Sequence, residues 1–136
     1  MSPSVPKPLQ SAVLLCIDDN QYLLECEKAF LETFGYTVLT ALSGGKGLEL
    51  ASIHSVDVVI VDYFMPEMNG REFAVEMRRL RPQAPIIMLS AAVDVPKQAL
   101  KLVDAFIAKR DLPSQLLPVI AQLHECGVNP TPSYDA

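Results

Sequence analysis

The sequence lacks the residues on which several kinds of functional site depend. It contains no tryptophan and only three cysteines, Cys16, Cys26 and Cys126, whose spacings match neither a zinc knuckle nor a Cys-x-x-Cys redox pair. We therefore interpret all three as reduced thiols without a chemical role. Cys16 lies in an apolar run and Cys26 on a predicted helix, so we expect both to be small buried hydrophobic residues.

Long apolar runs and long basic runs are also missing. No segment approaches the ~20 apolar residues that cross a bilayer, and the first ten residues, MSPSVPKPLQ, lack the apolar stretch of a secretory signal. The net charge is -5, and no run of Lys and Arg is longer than two. These absences argue against membrane insertion and against direct nucleic-acid binding, which needs clustered positive charge. The sequence predicts a cytoplasmic protein.

The composition is that of one globular domain. The chain has 136 residues, of which 50% are hydrophobic and 20% are charged, enough for a single core of useful size. Prolines and few core residues mark both ends, which predicts a flexible segment over 1–10, a folded domain over 11–127 and a flexible tail over 128–136. A Met at position 1 and a tail ending in Tyr-Asp-Ala lead us to expect a complete chain.

Five short apolar runs alternate with segments of helical period. Alternating strands and helices of this kind predict an α/β protein with a doubly wound, five-stranded parallel sheet in the order 2-1-3-4-5 and helices on both faces. The predicted strands are Ala12–Ile17, Thr37–Ala41, Val56–Val61, Pro85–Leu89 and Ala105–Ile107.

Capping residues and apolar spacing define the predicted helices. The first follows Asn20 as N-cap, ends at Gly35, and carries an apolar stripe that we expect to face the sheet. That stripe consists of Leu23, Cys26, Phe30 and Phe34. Ser43 caps the second helix, a stripe of Phe73, Met77 and Leu80 marks the third, and Pro96 opens a short fourth. In the fifth, Pro118 predicts a kink or a late start.

Acidic residues follow two neighbouring strands of the predicted sheet. Asp18 and Asp19 come directly after the first strand and Asp62 directly after the third, at the edge where ligands bind in such folds. Separate helix-cap and turn roles are the simpler interpretation of each motif. Ser90 and Lys109 end the remaining strands on the same edge, however. Three crowded carboxylates need a compensating cation, and the absence of His or Cys ligands favours Mg²⁺. The hydroxyl of Ser90 and the ammonium of Lys109 are suited to bind the oxygens of a phosphoryl group.

With these motifs the chain resembles the receiver domain of bacterial response regulators, in particular single-domain chemotaxis regulators, from about Ala12 to Cys126. The most specific match is the run from Asp62 to Gly70, Asp-Tyr-Phe-Met-Pro-Glu-Met-Asn-Gly. The resemblance implies a flavodoxin-like receiver fold. It also implies that Asp62 takes a phosphoryl group from a histidine kinase or a histidine phosphotransfer protein, and that the chain acts on no other substrate.

The resemblance further implies a role for each site residue. Asp19 and Asp62 would ligate Mg²⁺ directly, Asp18 directly or through water, and the backbone carbonyl of Phe64 would add a ligand. Lys109 would contact the phosphoryl group.

The resemblance also implies a switch and a signalling surface. Ser90 and an aromatic residue on the fifth strand, Phe106, would form the switch. Because Phe106 has no hydroxyl group, we expect its side chain to stay buried. The fourth helix, fifth strand and fifth helix would contact a downstream protein target. Whether phosphorylation drives a homodimer stays open.

Three features depart from the family pattern. Arg110 replaces the usual proline after Lys109, which makes a cis bond there improbable. Val103-Asp104 replaces the usual Gly-Ala, and the short interval from Ser90 to Lys109 predicts a truncated or irregular fourth helix. The apolar Phe64 and Ala92 flank the expected path of an attacking water, which predicts a long-lived acyl phosphate.

Two other functions were weighed against the receiver. One is a receiver-like adaptor or dimerisation module that works without phosphorylation, which the altered region before the fifth strand leaves open. The other is a haloacid-dehalogenase-type phosphatase, against which the sequence argues because it has neither an Asp-x-Asp on the first strand nor a cap domain.

Overall fold

The computed structural model describes residues 12–91 and 95–126. Five parallel strands form one sheet in the order β2-β1-β3-β4-β5, so the predicted fold class and strand order are confirmed. The strands are β1 (Val13–Ile17), β2 (Thr37–Ala41), β3 (Val58–Asp62), β4 (Ile86–Ser90) and β5 (Ala105–Ala108). Asp62 and Ser90 are thus the last residues of their strands, and β3 starts two residues later than predicted. The segments predicted to be flexible, 1–10 and 128–136, lie outside the described residues.

The helices are α1 (Gln21–Glu32), α2 (Gly44–Ile53), α3 (Gly70–Leu80), α4 (Lys97–Leu100) and α5 (Leu112–Cys126), and a 3-10 turn spans Lys109–Asp111. The predicted caps are present, since the side chain of Asn20 accepts a hydrogen bond from Leu23 N and that of Ser43 accepts one from Lys46 N. Gly35 has φ 95°, a left-handed conformation suited to the end of a helix.

Two apolar layers cover the sheet. Leu24 and Leu31 of α1 and Leu116 and Ile120 of α5 pack on one face. On the other face, α2 and α3 pack through a second set that includes Phe73. The central strands β1, β3 and β4 are almost fully buried because both faces are covered, as expected for a parallel sheet, whereas the edge strands β2 and β5 are partly exposed. No helix in 12–91 and 95–126 is long and apolar enough to span a membrane.

The predicted orientation of α1 is wrong. The residues buried on α1 are Leu24, Glu27 and Leu31, whereas Cys26 is exposed. Phe30 is 39% exposed and Phe34 is 52% exposed. The helix carries two apolar stripes about one residue apart, and packing against β1 and β2 selects the one with fewer aromatics. Cys16, by contrast, is buried as expected.

Proline affects the last two helices differently. α4 is a single turn that follows Pro96, as the sequence predicts. α5 begins at Leu112 and continues through Pro118, so the predicted late start is wrong. Pro118 lies on the exposed side of the helix, where water can hydrate the carbonyl that loses its partner.

Candidate functional site

Three carboxylates meet at the carboxyl edge of the sheet. Asp18 and Asp19 follow β1, Asp62 ends the neighbouring β3, and the pairing of Ile17 with Val61 places them at the same level. One carboxylate oxygen from each of the three aspartates lies within 4.8 Å of the others. Asp18 and Asp62 are buried and Asp19 is exposed. The structure thus brings together the three aspartates singled out in the sequence.

Lys109 reaches these carboxylates from the turn after β5. Its Nζ donates a hydrogen bond to Asp18 Oδ2 at 2.9 Å and lies 3.3 Å from Asp62 Oδ1. Asp18 Oδ1 accepts a second hydrogen bond, from the backbone N–H of Asn20 at 2.9 Å. Asp18 is therefore fixed on both oxygens, whereas Asp62 faces the ammonium through Oδ1.

The charges in this pocket do not balance. Burial, and after it the negative charge of Asp18, raise the pKa of Asp62 to about 6 overall, although Lys109 acts in the opposite direction. Burial by itself would lower the pKa of Lys109, but the hydrogen bond to Asp18 and the charge of Asp62 raise it overall. One ammonium thus faces three carboxylates, so a further cation would be bound favourably.

The donor set fits Mg²⁺. Among the residues that the structure describes, only oxygen ligands converge here, and hard divalent cations prefer carboxylates, carbonyls and water. A divalent ion would also supply the positive charge that the pocket lacks.

The loop after Asp62 is held against the start of α3. The backbone N–H of Gly70 donates to the carbonyl of Tyr63 at 2.8 Å. A Cβ on Gly70 would lie 2.8 Å from Tyr63 Cα and 3.0 Å from the carbonyl oxygen of Asp62, too close for any side chain. Asn69 and Glu72 form a capping box at the same helix end. This packing explains why the motif that begins at Asp62 ends in glycine.

Phe64 and Ser90 flank the pocket in different environments. Ser90 ends β4 and is fully buried, next to Leu89, which pairs with Asp62 in the sheet. Phe64 is 51% exposed, and its ring meets the ring of Tyr63 edge-on, with centroids 4.7 Å apart. The other predicted flanking residue, Ala92, lies outside the described residues.

Phe106 is less buried than expected. It lies on β5 and is 36% exposed, so the expectation that it stays buried is wrong. Its partner in the sheet, Met88, packs with Ala99 of the single-turn α4, whereas Phe106 itself lies on the edge strand of the sheet.

Arg78 and Asp104 connect α3 to the start of β5. Asp104 Oδ2 accepts hydrogen bonds from Arg78 Nη2 at 2.7 Å and from the backbone N–H of Ile86 at 2.8 Å. Arg78 also donates to the carbonyls of Leu102 and Ala84, each at 3.2 Å. Asp104, which departs from the family pattern, thus anchors the segment that replaces a longer fourth helix. The described residues contain no cis peptide bond, so the bond before Arg110 is trans, as predicted.

Glu27 is the residue of this region that the sequence did not reveal. It lies on the buried face of α1, and the charges of Asp18, Lys109 and Asp62 all influence its pKa. Its signal in the sequence was a glutamate between Leu24 and Leu31 on the second apolar stripe of the helix.

Fold and site together define an α/β signalling domain with an aspartate pocket at its switch point. Residues 14–121 match the model of the response regulator receiver domain, and the chain belongs to that family of two-component signalling domains. Among curated proteins, the transcriptional regulatory protein GlrR of Escherichia coli is 39% identical over 85 residues, which are 62% of this chain and 19% of GlrR. The response regulator SaeR of Staphylococcus aureus is 36% identical over 78 residues, which are 57% of this chain and 34% of SaeR. The chain therefore spans about a third or less of these relatives.

Solved structures of similar size also match. The chemotaxis protein CheY4 of Vibrio cholerae has 29% identity and a TM-score of 0.75 over 82% of this chain and 98% of that chain. The response regulator TrrA of Thermotoga maritima has 28% identity and a TM-score of 0.78, with the same two coverages, and was solved in complex with Mg²⁺-BeF.

Proposed function

We propose that residues 11–127 form a stand-alone receiver in a two-component phosphorelay and that Asp62 accepts a phosphoryl group from a phosphohistidine. The observation that carries this proposal is the position of Lys109 Nζ, 3.3 Å from the acceptor Asp62 and 2.9 Å from Asp18. An ammonium held there can pair with a phosphoryl oxygen and stabilise the negative charge that develops on it in the transition state. Ser90, buried at the neighbouring strand end, would donate to another phosphoryl oxygen.

The chemistry needs no general base on the protein. The ionised carboxylate of Asp62 attacks phosphorus in line, the phosphorus–nitrogen bond of the donor breaks, and the electron pair leaves on the imidazole nitrogen, which takes up a proton. Because the pKa of Asp62 is raised only to about 6, the nucleophile is mostly ionised at neutral pH. The domain would thus promote only its own phosphorylation and dephosphorylation.

Asp18, Asp19, Asp62 and the carbonyl of Phe64 would hold Mg²⁺. When bound, the ion would neutralise the excess negative charge and let an anionic donor approach. The support is the oxygen-only donor set of the three aspartates and the complex of the related TrrA with Mg²⁺-BeF.

The phosphodonor would be a histidine kinase or a histidine phosphotransfer protein that docks on α1. An exposed apolar ridge, made of Tyr22, Cys26, Phe30 and Phe34 at four-residue spacing, starts three residues after Asp19. Such a row of side chains is suited to pack against a helix of a partner. Tyr22, at 76% exposed, is the member nearest to the pocket in sequence.

The output would pass from Ser90 and Phe106 to the surface formed by α4, β5 and α5. There a downstream protein, or a second phosphorylated copy, would bind. The stand-alone arrangement is tested by the mass of the native protein in cell extract, and the predicted cytoplasmic location by its fractionation.

Phosphorylation is tested by intact mass. We expect a single phosphoryl adduct after incubation with Mg²⁺ and acetyl phosphate or phosphoramidate, and none in Asp62→Asn or in EDTA. An unmodified parent chain, or an adduct that persists in Asp62→Asn, would contradict the proposal.

The docking surface is tested by comparing two donors. Tyr22→Ala should slow transfer from a phosphorylated histidine phosphotransfer protein and leave phosphorylation by acetyl phosphate unchanged. Ile53→Ala is the matched control, because Ile53 is 68% exposed on α2 and outside the ridge. If Tyr22→Ala and Ile53→Ala changed the rate of transfer from the protein donor equally, docking on α1 would be contradicted.

A phosphorylation-independent adaptor is the second candidate. The single-turn α4 and the partly exposed Phe106 favour it, because the usual signalling surface is reduced. In that case Asp62→Asn would retain the full function of the parent in cells.

A further inference from the structure

Glu27 is a buried carboxyl group for which the phosphoryl-transfer chemistry has no use. It is 7% exposed and lies on the sheet-facing stripe of α1, three residues after Leu24 and four before Leu31. Its Oε2 is inaccessible to solvent and accepts no hydrogen bond from the residues that the structure describes. An ionised carboxylate is strongly disfavoured in such a place unless a partner compensates it.

The groups around Glu27 come from several elements. β1 contributes Cys16 and Asp18, β3 contributes Asp62, and Lys109 follows β5. β2, which also packs against α1, carries no ionisable side chain, and α5 carries none before its last turn. No ion pair within 4.0 Å joins Glu27 to Lys109, whose ammonium is held by Asp18 and Asp62. Glu27 therefore lies close enough to sense the charge of the pocket without taking part in its hydrogen bonds.

The protonation of Glu27 responds to these surroundings. Burial, and after it the negative charge of Asp18, raise the pKa of Glu27 to about 7 overall, although Lys109 acts in the opposite direction. Burial also raises the pKa of Cys16, which stays a neutral thiol. Glu27 and Asp18 thus compete for the same compensating positive charge.

We propose that Glu27 is a buried proton site coupled to the aspartate pocket, so that this receiver responds to pH near neutrality. Loss of the proton adds a negative charge that acts on Asp18 and strengthens the attraction of the pocket for a cation. By thermodynamic reciprocity, a cation bound at the pocket favours loss of the proton from Glu27. The part of the proposal that concerns Mg²⁺ rests on the proposed function, whereas the coupling to Asp18 does not.

The first test measures the proton directly. In metal-free protein labelled with ¹³C-glutamate, the assigned side-chain carbon of Glu27 should titrate near pH 7, far above the usual range of a glutamate. In Asp18→Asn its midpoint should move to lower pH, because a neighbouring negative charge is removed. A titration midpoint of Glu27 below about 5.5, in the range of ordinary glutamates, would overturn the proposal. A midpoint that is the same in the parent and in Asp18→Asn would overturn it as well.

The second test measures the coupling to Mg²⁺ by calorimetry between pH 6.5 and 8.5. We expect the affinity of the parent for Mg²⁺ to be roughly three- to thirtyfold higher at pH 8.5 than at pH 6.5. This is the size of coupling expected between the negative charge of Glu27 and a cation in the pocket. Glu27→Gln, or Glu27→Leu if the amide prevents folding, should lose most of that gain. Glu25→Gln is the matched control, since Glu25 carries the same charge on the exposed face of α1.

The outcomes separate the two proposals. A Glu27 variant that is folded and keeps the full pH dependence of Mg²⁺ affinity would overturn the coupling. If Mg²⁺ binds at no pH while Glu27 still titrates near 7 and responds to Asp18→Asn, the proposed function fails and the coupled proton site stands.

Discussion

Replacing the acceptor should stabilise the metal-free fold. Burial and the charge of Asp18 raise the pKa of Asp62 from 3.8 to about 6 in the folded chain. The folded state therefore holds this proton more tightly than the unfolded state, so stability is lost as pH rises from about 4 to 6 and stays reduced above. A rise of about two pKa units corresponds to about 3 kcal/mol. Asp62→Asn removes that penalty and should gain up to about 3 kcal/mol at pH 7.5, or about 10 °C in Tm for a chain of this length.

Urea unfolding followed by circular dichroism measures this gain in EDTA. The difference between variant and parent should shrink towards pH 4, where both side chains are neutral. Saturating Mg²⁺ should also reduce it, since the bound ion stabilises the ionised parent. Asp111→Asn is the matched control, because Asp111 is partly exposed at the same edge of the sheet and should change stability little. An Asp62→Asn protein no more stable than the parent at pH 7.5 in EDTA would refute the reasoning.

Four further substitutions test other parts of the structure. The acyl phosphate of Phe64→Asn should decay faster than that of the parent, because an amide orients the water that a phenyl ring excludes; intact mass over time measures this, and slower decay would contradict it. Lys109→Met should slow phosphorylation by acetyl phosphate about 100-fold or more through loss of charge stabilisation; a rate near that of the parent would argue against contact with the phosphoryl group. Gly70→Ala should lower the free energy of unfolding in urea by about 1–3 kcal/mol, because the added Cβ would clash with backbone atoms of the loop after Asp62. Unchanged stability would show that the loop moves to make room for the side chain. Arg78→Met should lower the free energy of unfolding by about 1–3 kcal/mol through its lost hydrogen bonds. Arg79→Met, which loses only an exposed ion pair, should lower it much less. Equal losses of stability in the two variants would contradict the anchoring role of Arg78.

The sheet and its acidic edge were predictable because their signals are local. A parallel strand covered on both faces must be apolar along its whole length, which marked the apolar runs ending at Ile17 and Val61. Polar residues directly after such runs necessarily meet at one edge once the strands are parallel. The positions of Asp18, Asp62 and Lys109 therefore followed from the order of residues along the chain.

The roles of Arg78 and Asp104 were not predictable in this way. Val103-Asp104 stood out only as a departure from the family pattern, and Arg78 is one of the basic residues in the last turn of α3, a common position for them because they suit the helix dipole. Their pairing joins residues 26 positions apart in the sequence. It depends on how α3 lies against the start of β5, which no local pattern encodes.

The sequence by itself determined the class of fold, the strand order and the group of residues at the carboxyl edge. The tertiary structure alone decided which stripe of α1 is buried, since the Tyr22 ridge and the stripe with Glu27 are both compatible with a helix. The sheet covers the stripe with Leu24 and Leu31, which leaves the aromatics exposed and buries the carboxyl group of Glu27 within the influence of Asp18. Burial and charge proximity arise from packing between distant segments, and for that reason the proton site at Glu27 becomes visible only in the folded chain.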